Sequence, residues 1–103
     1  MGTPVVFTRS ALGDLENIVK YIRLDNPDRA HAFGHLLIDR ALALGNFPEM
    51  GRVVPEERDP GLREIVQGSY RIVYRIKRDP NRIVVLRFWH GARGTPQIPD
   101  SDE

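Results

Sequence analysis

The chain has 103 residues, of which 41% are hydrophobic and 28% charged, with a formal net charge of +1 and no cysteine. That length fits one domain, and the balance is that of a folded soluble protein rather than a disordered segment. No apolar run approaches the roughly 20 residues of a membrane span. Disulfide and thiol chemistry are excluded, and residues 1–7 lack the basic-then-apolar pattern of a secretory signal. A cytoplasmic protein is expected.

Val5-Val6-Phe7 is a short β-type run, and Thr8 or Ser10 can cap the helix that follows. From Ala11 on, Leu12, Leu15, Ile18, Val19 and Ile22 recur at helical spacing. Asn26-Pro27 is a second start signal, a cap residue before proline at the first helical position. Ala30, Phe33, Leu37, Ala41 and Leu44 form the next stripe, which Gly45-Asn46 and Pro48 terminate. Two helices joined this closely should pack as an antiparallel hairpin.

Residues 47–61 read as a long loop, a length that points to function or mobility. Three strands are predicted after it, Leu62–Val66, Tyr70–Lys77 and Ile83–Trp89, with turns at Gln67-Gly68-Ser69 and at residues 78–82. The order β-α-α-β-β-β implies an α+β domain over residues 1–93, an antiparallel sheet packed on the helical hairpin. Residues 94–103 read as a flexible tail.

Thirteen of the 15 basic residues are arginine, whose planar fork grips phosphates and carboxylates. Residues 63–93 hold eight basic side chains against two acids, Glu64 and Asp79. Strand alternation puts Tyr70, Ile72, Tyr74 and Ile76 on one face and Arg71, Val73, Arg75 and Lys77 on the other. Likewise Val84, Leu86 and Phe88 should face the helices, and Ile83, Val85, Arg87 and Trp89 the opposite side. Arg71, Arg75, Arg87 and Arg63 would then converge on an open face suited to a phosphate backbone or an acidic protein loop. The alternative is that they pair with acids and keep an open sheet soluble. Asp14 and Glu16 read as solvated charges near a helix N-terminus. His31 and His35 stand one turn apart without the glutamate of a zinc-binding helix, so neither metal nor cofactor is expected. His90 is either an acid/base candidate or a hydrogen-bonded residue at a core edge, and Trp89 either stacks a base or packs.

The segments Leu62-Arg63-Glu64-Ile65-Val66-Gln67-Gly68-Ser69-Tyr70-Arg71-Ile72-Val73-Tyr74-Arg75-Ile76 and Val84-Val85-Leu86-Arg87-Phe88-Trp89-His90-Gly91-Ala92-Arg93 resemble the C-terminal half of RelE/ParE-family toxins. Residues 11–18 and Phe47-Pro48-Glu49-Met50-Gly51-Arg52 are similar to the family too. The His-Gly-Ala-Arg ending looks closer to the ParE branch. The resemblance implies a growth-inhibiting toxin of a bacterial type II toxin–antitoxin, plasmid-stabilisation-like system, neutralised by a cognate antitoxin. It implies DNA gyrase as the target of a ParE-like member, bound through Arg63, Arg71, Arg75, Arg87, Trp89, His90 and Arg93. A RelE-like member would instead cleave mRNA on the ribosome, with Arg63, Arg75, Arg87 and His90 as catalytic residues. The chain departs from that second pattern in having one strand lysine, Lys77, and no tyrosine after Tyr74. The antitoxin is expected on the helical stripes, at Leu12, Leu15, Ile22, Phe33 and Leu37, and at open sheet edges.

Overall fold

The computed structural model describes residues 2–99. Strand β1 (Val5–Phe7) runs into α1 (Arg9–Arg23) and α2 (Pro27–Ala43); β2 (Arg52–Val53), β3 (Leu62–Gln67), β4 (Tyr70–Lys77) and β5 (Arg82–His90) follow, and a 3₁₀ turn closes at Gly91–Arg93. Thr8 caps α1: its hydroxyl oxygen accepts from the Ala11 amide at 3.0 Å and donates to the Leu86 carbonyl at 2.9 Å. The first helix is thereby tied to the last strand. Asn26 caps α2 by accepting from the Arg29 amide, with Pro27 at its first position, as the sequence implies.

The domain is α+β, with five strands in the order β1-β5-β4-β3-β2. The sheet is mixed rather than wholly antiparallel: β1 pairs parallel with β5, Val5 opposite Ile83. The 47–61 loop also contributes an edge strand, β2, against Glu64 and Arg63. Gly68, at φ +60°, supplies the left-handed residue that the tight β3–β4 turn needs.

Helix-facing sheet residues are Ile65, Ile72, Tyr74, Ile83, Val85 and Phe88, packed on Ala11, Ile18 and Ile22 of α1 and Ala30, Leu37, Ala41 and Leu44 of α2. A Cβ on Gly34 would come within 2.9 Å of Val19 Cγ2, so that glycine lets the two helices close on each other. Simple alternation along β5 fails because of an irregularity in its pairing with β4. Val73 pairs with Arg87 but Tyr74 with Val85, leaving Leu86 without an opposite residue. One inserted residue flips the side-chain parity. Ile83, Val85 and Phe88 therefore share the helix face, while Val84 and Leu86 join Val54, Leu62 and Val73 in a second apolar cluster on the other side, with Ile98 against it. The face expected to be open thus has a small core of its own, covered by residues 54–61 and 94–98. The segment read as a loose tail lies against the sheet through Pro96, which is buried, and Ile98; residues 100–103 lie outside the described residues.

Candidate functional site

The arginines of the second face are neutralised by named acids. Glu64, with a fully buried side chain, accepts from Arg52 at 2.7 Å and from Arg71 at 2.6 Å. Arg71 also grips Glu56 through two nitrogens at 2.7 and 3.0 Å and donates to the Gly94 carbonyl at 3.3 Å. Arg75 meets Asp59 at 2.9 Å. Arg87 forks onto Asp14 at 2.7 and 2.8 Å and donates to the Gln97 carbonyl at 3.1 Å. Glu56 and then Glu64 push the Arg71 pKa above its usual value, and Asp14 does the same for Arg87. Arg71 holds Glu56 below the ordinary carboxylate range, and the Gly61 amide followed by Arg75 does so for Asp59. Of the two readings of this face, the ion-paired one describes the geometry.

Asp14 is accordingly not a solvated helix-end charge. Besides Arg87 it accepts from the Phe88 amide at 3.1 Å, next to the β5 irregularity, and its side chain is 11% exposed. Trp89 is 2% exposed: its Nε1 donates to the Gly94 carbonyl, and the Arg93 and Arg87 guanidinium carbons lie 3.9 and 4.8 Å from its ring centroid. It packs and cannot stack a base in this state.

A different constellation forms where the start of β4 and the end of β5 meet α1. A cleft of about 170 Å³ is lined by Asn17 and Tyr21 of α1, Tyr70 of β4, and Phe88, His90 and Arg93. The His90 ring lies edge-on to Tyr70 at 5.0 Å, and its Nδ1 accepts from the Ala92 amide at 3.0 Å. A neutral His90 therefore carries its proton on Nε2. Burial, then the neighbouring Tyr21, raises the Tyr70 pKa, so its hydroxyl stays a donor at neutral pH. His90 and Arg93 were expected at a site; Tyr21 and Tyr70 were not. Tyr21 is 74% exposed and lies outside the apolar stripe, and Tyr70 reads as one of the helix-facing row. The available signal was the spacing Asp14, Asn17, Tyr21, three polar-faced positions one helical turn apart.

The model of the ParE toxin of type II toxin–antitoxin systems matches residues 5–94. The chain belongs to the ParE toxin family. It is thus a type II toxin–antitoxin toxin of the wider ParE/RelE group. Among solved structures, a chain of the chromosomal ParDE toxin–antitoxin system from P. aeruginosa is similar, with 21% identity, TM-score 0.72, and 85% of this chain and 95% of that one covered. A chain of the RelBE2 toxin–antitoxin complex from Mycobacterium tuberculosis is 26% identical, with TM-score 0.62 and coverages of 87% and 99%. No curated protein matches the sequence. Among the described residues no helix is long and apolar enough to cross a membrane.

The structure corrects two further expectations for this ParE-family toxin. Arg63 is not beside Arg71, Arg75 and Arg87. It pairs with Tyr74 across β3 and β4, on the helix side, and donates to the Gly51 carbonyl at 2.8 Å. The assumed parity failed there because Glu64, not Arg63, shares the face of Arg71. Of the stripe residues assigned to the antitoxin, Ile22 and Leu37 are 8% and 0% exposed and belong to the core. Phe33 is half-buried, its ring 5.6 Å from Tyr70. Leu12 is 52% exposed and Leu15 is half-buried against the core; both line a groove along α1 with Val19.

Proposed function

We propose that this ParE-family toxin works by binding, as an inhibitor of DNA gyrase in the bacterial cytoplasm, and that a cognate antitoxin neutralises it. One observation carries the choice of binding over cleavage: Arg71, Arg75 and Arg87 are held by Glu56, Glu64, Asp59 and Asp14. Stabilising a pentacoordinate phosphate needs cations whose charge is aimed at the substrate rather than cancelled within the fold. The neighbours' titles, both toxin–antitoxin systems, support the antitoxin partner.

The competing reading, ribosome-dependent mRNA cleavage, is favoured by the cleft that joins His90, Tyr70 and Arg93. There His90 Nε2 could exchange a proton and Arg93 meet a phosphate, without Arg63, Arg75 or Arg87. The two readings separate on two variants, His90→Gln and Arg93→Glu. Gyrase supercoiling and mRNA cleavage on translating ribosomes are measured side by side for parent and variants. The binding reading expects inhibited supercoiling that survives His90→Gln and weakens with Arg93→Glu. Cleavage by the parent that falls roughly 10²–10⁴-fold in His90→Gln would replace it. Truncation from Gly91 is not a clean test, because it removes the Gly94 carbonyl that holds Trp89 and Arg71.

A further inference from the structure

The second helix carries a pair of side chains that neither the core nor the proposed function uses. His31 and His35 stand one turn apart on α2, both exposed, outside its buried line of Ala30, Gly34, Leu37 and Ala41. Their rings meet edge to face, with centroids 4.5 Å apart and planes at 60°. Among the described residues neither ring is held by a hydrogen bond or an ion pair, in contrast to His90, whose Nδ1 accepts from the Ala92 amide.

That spacing has a chemical meaning. A transition-metal ion sits about 2.0–2.1 Å from an imidazole nitrogen, and hence roughly 3.2 Å from the ring centroid. Two rings at a right angle around one ion then have centroids roughly 4.5 Å apart, and at the tetrahedral angle roughly 5.2 Å apart. The observed 4.5 Å is the right-angle value, which suits the square or octahedral shells of Cu²⁺ and Ni²⁺ better than tetrahedral Zn²⁺. The helix supplies the preorganisation: positions i and i+4 share one face, and rotation about the side-chain bonds of exposed rings aims both at one point. Asp28, about one turn before His31, and Asp39, about one turn after His35, put two exposed carboxylates on the same flank, which favours a cation there. Among the described residues no group of three or more such side chains is placed to hold an ion, so the pair is a two-donor chelate whose shell water completes. The missing glutamate, on which the expectation of no metal rests, removes a hydrolytic zinc centre but not a chelate.

We infer that His31 and His35 form a bidentate site for a divalent transition metal of the Cu²⁺ and Ni²⁺ class on the exposed flank of α2. The ion bridges two successive turns and binds only while the helix is formed, so it also stabilises the fold.

The test titrates the full chain with NiCl₂ and, separately, CuCl₂ by calorimetry at about pH 7.5, where exposed imidazoles are largely neutral. The parent should take up one ion per chain, Cu²⁺ more tightly than Ni²⁺, and its Tm should rise with added metal. His31→Gln and His35→Gln should each weaken binding by about tenfold or more, through loss of the second donor's intramolecular advantage, and abolish the Tm rise. Ala32→His combined with His35→Ala keeps the histidine count but sets the two rings at adjacent positions that do not face each other, and it should bind no better than the single variants. All three positions are exposed, so without metal every variant should melt like the parent, with its fold checked by circular dichroism. Affinity and a Tm rise that persist in all three variants would place the ion elsewhere and overturn the site, as would the absence of saturable heat at millimolar metal. One ion per two chains, with a metal-dependent dimer in light scattering, would overturn the two-donor chelate in favour of a bridge between copies.

Discussion

Replacing Asp14 with alanine tests the ion-paired face most directly. The carboxylate accepts two bonds from Arg87 and one from the Phe88 amide, and the two side chains are only 15% and 11% exposed. Asp14→Ala leaves a largely buried guanidinium with one remaining acceptor, the Gln97 carbonyl, and orphans a backbone donor. Removing one partner of a buried pair costs about 3–5 kcal/mol; the residual exposure and the Gln97 bond put this case at the lower end, near 3 kcal/mol. At roughly 4–8 °C per kcal/mol for a domain of this size, Tm should fall by roughly 12–24 °C. Asp14→Ala combined with Arg87→Met removes both charges and should recover much of that loss. Urea and thermal melts of the parent, both single variants and the double variant give the coupling energy, expected at about 1 kcal/mol or more. A single variant within about 0.5 kcal/mol of the parent, or strictly additive effects, would refute the account. The same geometry makes Arg87→Glu a folding lesion, not a surface probe, because it sets a carboxylate against Asp14.

Tyr74→Phe should cost about 1–3 kcal/mol by orphaning the Gly51 amide and the Pro48 carbonyl, read out as a lower urea midpoint and faster hydrogen exchange at Gly51. Glu56 and Asp59 have folded pKa values below their ordinary 4.5 and 3.8, so their contribution is present above those values and lost as pH falls through the depressed ones. An acid titration should therefore show stability declining from about pH 4.5 downward, and Glu56→Gln should flatten that slope; an unchanged slope would count against the pairing. Ile98→Asp should cost about 1–2 kcal/mol, since the half-buried side chain covers Val73, Val84 and Leu86, and a chain indifferent to it by denaturation would show that the segment contributes nothing.

Helices, caps and four of the five strands were legible because each rests on local signals: the Thr8 and Asn26 caps, Pro27, and apolar residues at helical or alternate spacing. The parallel pairing of β1 with β5 was not, since it depends on residues 78 positions apart. Nor was β2, two residues whose strand character exists only because Glu64 and Arg63 lie beside them. The site suffered more than the fold. A single unpaired residue, Leu86, reversed the assignment of Ile83, Val84, Val85 and Leu86 while leaving Phe88 on the helix face, and alternation cannot announce such an insertion. Charge counting over residues 63–93 gave a basic surface because it ignored Asp14, Glu56 and Asp59, which arrive from outside that stretch. His90 and Arg93 were found from the resemblance, but Tyr21 joins them only through the packing of α1 on β5.

The position of β5 has a consequence for synthesis. It is the last strand made, yet it sits between β1 and the rest of the sheet, and Leu86 takes the Thr8 hydroxyl across 78 residues. A chain still on the ribosome before residue 90 holds two amphipathic helices with no complete sheet to cover, so the domain closes only once β5 has been made and has left the ribosome. Premature stops should therefore yield fragments removed by proteases, not weakened toxin. Stalled nascent chains of increasing length should become protease-resistant in one step, after His90 has emerged.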